Sequence, residues 1–157
     1  MTEGSAGGLR WNAPARWQVA AARPMRAATY TVPAAGGAEA GECGVFFFGK
    51  GKGGSVEENL ARWEKQFEGS AASKRSEKTV HGLKVHILDV SGTYLASAGP
   101  MKPPGEKKPG WRLLGAIVEA PEGFVFFKCT GPQATVKAAE KEFEALVDSV
   151  GPATAKA

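Results

Sequence analysis

Residues 46–67 read FFFGKGKGGSVEENLARWEKQF, and this stretch decides the architecture. It continues Glu42 to Phe48 (ECGVFFF), a run nearly continuous in apolar residues, which predicts a central strand covered on both faces. A glycine-rich turn follows, and then a helix over Ser55 to Phe67. Ser55 and Glu58 make the S-x-x-E capping box, in which each side chain satisfies a backbone N–H that a helix start leaves open. Val56, Leu60, Trp63 and Phe67 fall at the spacing of a single buried stripe. Glu58 and Arg62 form an i,i+4 pair on the wet side, and Gly69 supplies the stop.

Outward from this unit the chain reads as strands and turns. Met25 to Val32 places Ala28, Tyr30 and Val32 on one face of a half-buried strand. Leu9 to Trp17 is a short entry strand and turn. Glu77 to Val80 and Leu83 to Val90 form a hairpin around His81-Gly82, a pair that tolerates positive φ. Trp111 to Glu119 and Gly123 to Thr130 are two further strands around Pro121-Glu122, both apolar enough to be central. Between the two hairpins, Ser97 to Gly110 reads as a mobile basic loop broken by its prolines. The last element is a helix from about Pro132 to Val150 with the stripe Val136, Ala139, Phe143, Leu146, Val147 and Val150, ended by Gly151-Pro152.

Three strands apolar on both faces need cover on both sides. Short turns between neighbours make the sheet largely antiparallel. The expected fold is therefore α+β: an α/β/α sandwich with about six strands and two long helices. Residues 1–8 are expected to be flexible, residues 9–150 to form one domain, and residues 151–157 to fray.

Composition fits one globular domain. The chain has 157 residues, 43% hydrophobic and 23% charged, with 20 basic and 16 acidic side chains interspersed. The resulting charge of +4 suits solubility better than a nucleic-acid surface, and no aromatics interleave the cations on a strand face. No apolar run reaches the ~20 residues of a membrane span. The first eight residues lack a signal-peptide pattern, so the chain as it stands is expected in the cytoplasm, or exported if a leader was trimmed. Cys43 and Cys129 bridge only if their strands are neighbours, and free buried thiols are the expectation.

The order of elements and the phrases FFFGKGKGGSVEENLARWEKQF (46–67), LDVSGTY (88–94), RLLGAIVEAPEG (112–123) and FFKCTGP (126–132) resemble the PsbP-like superfamily. That group includes the extrinsic photosystem II protein and the Ran-binding Mog protein. The likeness is strongest to small uncharacterised bacterial members, often lipoproteins, and covers most of residues 9–150. It implies an antiparallel sheet between helices and a non-catalytic role in docking to a larger partner. The chain departs from the family pattern in lacking the usual leader and in carrying Cys129 where an aliphatic residue is usual.

Several residues invite chemistry. Gly49 to Ser55 suggests a phosphate loop, but the Walker pattern needs a Lys directly before the Ser, and Gly54 stands there. An anion is the lesser demand, met by Lys50, Lys52, Gly53, Gly54 and Ser55 at a helix N-terminus, joined by Tyr94 and Lys128. His81, His86 and Asp89 do not converge as metal ligands, since His81 is a turn residue and the other two point to opposite faces of one strand. Ser91 beside them makes no triad. Asp89 and Glu119 are strand carboxylates that would serve a hydrolase or lyase if they converged, against the simpler reading that they lie at strand ends in water. Trp63 is core, whereas Trp11, Trp17 and Trp111 flank loops where one could line a partner surface, and Lys102, Lys107 and Lys108 make a solvated loop. The expected function is a non-catalytic module for a protein partner or a small anionic ligand, without metal, cofactor or nucleic acid. The alternative is a small enzyme using Asp89 and Glu119.

Overall fold

Strand Gly41–Phe47 lies inside a seven-stranded antiparallel sheet, as its apolar run requires. The computed structural model describes residues 2–20, 27–49, 54–68, 72–97 and 104–152. In chain order the strands are β1 (Thr2–Ala6), β2 (Leu9–Ala13), β3 (Gln18–Val19), β4 (Ala28–Val32), β5 (Gly41–Phe47), β6 (Ala72–Val80), β7 (Leu83–Ser97), β8 (Pro104–Ala120), β9 (Gly123–Pro132) and β10 (Gly151–Pro152). The helices are α1 (Val56–Lys65), α2 (Gln133–Ala138) and α3 (Glu140–Asp148). The large sheet runs β3-β4-β5-β9-β8-β7-β6, and a small sheet runs β1-β2-β10.

Alternation along β5 explains why this strand is covered twice. Cys43 and Val45 join a core with Trp11, Phe127, Phe143 and Leu146, beneath α2, α3 and the small sheet. Phe46 and Phe48 pack into a second cluster with Leu60, Trp63, Phe126 and Ile117, beneath α1. The class is α+β and mostly antiparallel. The expectation of about six strands and two long helices needs correction: the sheet has seven strands and the helices are short.

The α1 unit follows its sequence signals closely. Both halves of the capping box form: Glu58 N donates to Ser55 Oγ (3.1 Å) and Ser55 N to Glu58 Oε1 (2.9 Å). Leu60, Trp63 and Phe67 are buried, with Val56 partly so. Arg62 donates to Asn59 Oδ1 at 2.8 Å, where pairing with Glu58 was expected. The helix ends at Gln66, ahead of Gly69, which lies outside the described residues. The chain is captured there by the sheet, since Leu95 N donates to Gln66 O (2.7 Å) and Phe67 bridges Tyr94.

The C-terminal helix is two helices. At Ala139 the backbone leaves helical geometry (φ −99°, ψ 4°). The expected stripe nevertheless stays buried throughout, because Phe143 N still donates to Ala139 O at 2.8 Å. The His81-Gly82 turn has both residues at positive φ (48° and 81°), the twist that suits a two-residue hairpin.

Two further expectations are overturned, one on the loop 97–110 and one on the cysteines. Of the supposed loop 97–110, residues 98–103 lie outside the described residues and the rest from Pro104 onward is strand, paired with β7 (Ser97↔Pro104, Leu95↔Lys107, Tyr94↔Lys108), with Pro104 at the strand's first position and Pro109 within the register shift at Gly92/Tyr94. Lys102 lies outside the described residues. Near the two ends of the described chain, β1 and β10 flank β2 in the small sheet. Finally, β5 and β9 are neighbours with Cys43 opposite Cys129, and the two are joined as a disulfide.

Candidate functional site

The loop before α1 is only partly described: Lys50, Lys52 and Gly53 fall outside the described residues. Gly54 has φ +87°, and a Cβ there would come 3.2 Å from Glu58 Oε1, so glycine lets the chain turn tightly against the cap. The helix N-terminus is already occupied. The Ser55 N–H holds the Glu58 carboxylate, and this bond, ahead of the Ser55 hydroxyl, keeps Glu58 below the ordinary carboxylate range. Asn59 Nδ2 donates to Ser55 O at 2.8 Å. An external anion at Ser55 would compete with this internal one.

Tyr94 sits at the other end of α1, against Phe67, with ring centroids 5.3 Å apart. Ten helical residues separate the two ends, about 15 Å of helix. Tyr94 and Ser55 therefore do not share one site. Lys128 lies mid-sheet on the α1 face, between Gly44 and Gly115 in register.

What Tyr94 does join is an aromatic groove. The Tyr94 and Trp111 rings are parallel within 2° at 5.5 Å, and Lys108 Nζ lies 5.0 Å from the Trp111 ring centre. The register shift after Gly92 aims Tyr94 at Trp111. The rings wall a groove of about 390 Å³ whose polar lining comes from Thr31, Glu42 and Thr130 on three other strands. The sequence reading found Tyr94 and named Trp111 as a surface candidate. It missed Thr31, Glu42 and Thr130, whose nearness depends on the order β4-β5-β9-β8 and leaves no local signal. Trp11 and Trp17 are core: the indole N–H of Trp11 donates to Tyr30 OH (2.9 Å), and that of Trp17 to Glu142 (3.2 Å).

The two strand carboxylates are separated by the sheet. Asp89 lies on the α3 side, paired with Arg112 through two hydrogen bonds (2.9 and 2.8 Å). Arg112 also donates to Glu140 at 2.6 Å. Glu119 lies on the α1 side, where its Oε2 is 2.7 Å from His86 Nε2. Glu77 approaches the other ring nitrogen of His86 at 3.3 Å. Asp89 and Glu119 thus do not converge as one acid–base pair. His81 Nδ1 donates to the Val150 carbonyl at 2.7 Å, the turn role expected of it. Among the described residues no group of three or more His, Cys, Asp or Glu side chains is arranged to hold a metal. Likewise, none of the described helices is long and apolar enough to cross a membrane.

No protein-family profile matches the chain, and no curated protein sequence matches it. Solved structures similar in fold include two at low identity. One is PA94 of Pseudomonas aeruginosa, a protein of unknown function described as a candidate regulator, at 18% identity and a TM-score of 0.57, covering 97% of this chain and 96% of that one. The other is the cyanobacterial PsbP of Synechocystis sp. PCC 6803, at 11% identity and a TM-score of 0.54, covering 93% of this chain and 87% of that one. At such identities the likeness concerns the fold alone.

Proposed function

We propose that this chain is a non-catalytic docking module of the PsbP-like type, layered as an α/β/α sandwich, which receives a protein partner at the Tyr94–Trp111 groove. The observation that carries this reading is the parallel Tyr94–Trp111 pair standing half-buried at the mouth of an open groove. Rigid aromatic rings beside a partly desolvated recess are the usual anchors of protein interfaces, because they offer large contact area at little entropic cost. The separation of Asp89 and Glu119 by the sheet supports a role without catalysis. A small anion at Gly54 and Ser55 is the weaker reading, since it would have to displace Glu58 from the helix start.

Capture from the native host with the wild-type chain, Trp111→Ala and the groove-filling Thr31→Arg tests this. The expected result is a partner retained by the wild type and lost by both variants, each shown to be folded by circular dichroism. Recovery of the bait alone, or of the same partner with all three chains, would overturn the docking role.

A further inference from the structure

On the other side of the sheet, edge strand β6 and helix α3 face each other across a cleft of about 300 Å³. We propose that this cleft binds a small zwitterion with an apolar side chain, of the hydrophobic α-amino-acid class. Alternation along β6 presents Lys74 and Lys78 to the cleft, and four-residue spacing along α3 presents Glu140, Glu144 and Asp148. Two opposite rows of charge so disposed would be expected to zip shut. They do so at one end, where Lys78 Nζ meets Asp148 at 2.6 Å, while Glu140 is held at 2.6 Å by Arg112 of β8.

Lys74, opposite Asp89 in register at the Arg112 end, does not close on α3. Lys74 and Glu144 both line the cleft, yet neither side chain has a hydrogen-bond or ion-pair partner among the described residues. Beneath them the floor is apolar, made of Ile87, Leu114, Phe143 and Val147. A cation on one lip, a carboxylate on the other and an apolar floor between them match a ligand that carries a carboxylate, an ammonium and a hydrocarbon side chain. The balance of charge argues against simpler amphiphiles. Lys74, Lys78 and Arg112 stand against Asp89, Glu140, Glu144 and Asp148, so a bare fatty acid meets an excess of carboxylates and a bare amine leaves Lys74 unanswered. The volume lies at the bottom of the ~300–1,000 Å³ range of small-molecule sites, enough for one amino acid and too little for a peptide or a lipid.

Calorimetric titration of the full chain with leucine and phenylalanine tests this. Three controls each remove one feature: leucinamide lacks the carboxylate, 4-methylpentanoate lacks the ammonium, and glycine lacks the side chain. Leucine or phenylalanine should bind at least tenfold more tightly than every control. Lys74→Met and Glu144→Gln should each weaken that binding at least tenfold. Both side chains are exposed, so these variants should retain the wild-type melting curve, and thermal melts check that they do. No detectable binding of either amino acid, equal binding of the controls, or binding unchanged in both variants would overturn the proposal. The cleft and the Tyr94 groove lie on opposite faces, so Thr31→Arg should leave amino-acid binding intact even where partner capture fails.

Discussion

The indole of Trp63 lies against Gly115, so closely that a Cβ at position 115 would overlap the ring. This contact seats α1 on the sheet, since Trp63 also meets Phe126 edge-on at 6.4 Å between ring centres. Glycine at 115 is thus required by close approach rather than by an unusual backbone angle. Gly115→Ala should lower the unfolding free energy by about 1–3 kcal/mol, the usual range for forcing extra volume into a packed core. Trp63→Leu in the same background should recover part of the loss. Urea titrations of the two single variants and the double variant measure the coupling, and strictly additive losses would show that the two residues do not meet.

The Cys43–Cys129 disulfide closes a separation of 86 residues between two central strands. Constraining so long a segment of the unfolded chain stabilises by up to about 4–5 kcal/mol in the chain-entropy account, with ~2–4 kcal/mol typical of measured bridges. Reduction, or the Cys43→Ala/Cys129→Ala double variant, should therefore bring a clear fall in the guanidinium midpoint. The double variant should then no longer respond to reductant. A wild-type midpoint indifferent to reductant would mean that the thiols are free in solution.

Acid sensitivity should trace to two carboxylates tied to arginines. Glu64 is held below its ordinary range first by its hydrogen bond from Arg75, and Glu142 first by its bond from Arg16. For a carboxylate whose folded pKa is depressed, the stabilisation is complete above the unfolded value near ~4.3. It is lost as pH falls from there through the folded value. Each pair is partly solvated and contributes about 0.5–1 kcal/mol at most. Glu64→Gln with Glu142→Gln should thus lower stability at pH 7 and flatten its decline below about pH 4.5, relative to wild type. Denaturation midpoints collected from pH 7 to pH 3 check this, and parallel curves for the two proteins would rule it out.

Local signals served well wherever a residue's role is set by its neighbours in the chain. The capping box at Ser55 and Glu58, the stripe Val56, Leu60, Trp63 and Phe67, and the His81-Gly82 turn are short-range features, and each formed as read. Strand from Pro104 onward went unseen because prolines argue against a central strand, whereas Pro104 opens the strand and Pro109 falls at a bulge. The candidate site was legible only in part. Tyr94 and Trp111 are visible as aromatics near turns, but nothing in the chain pairs them with Thr31, Glu42 and Thr130.

By itself the sequence determined the α+β class, the doubly covered strand β5 and the geometry of α1, because periodicity and capping act over a few residues. The tertiary structure alone decided which distant residues face one another. Strand order made β5 the neighbour of β9 and so brought Cys43 to Cys129. The alternation of side chains, carried across the paired strands β7 and β8, put Asp89 and Glu119 on opposite faces of the sheet. The length of α1 kept Tyr94 away from Ser55. Such relations depend on pairing and register between segments far apart in the chain, which hydrogen bonding across the assembled sheet selects and no local pattern records.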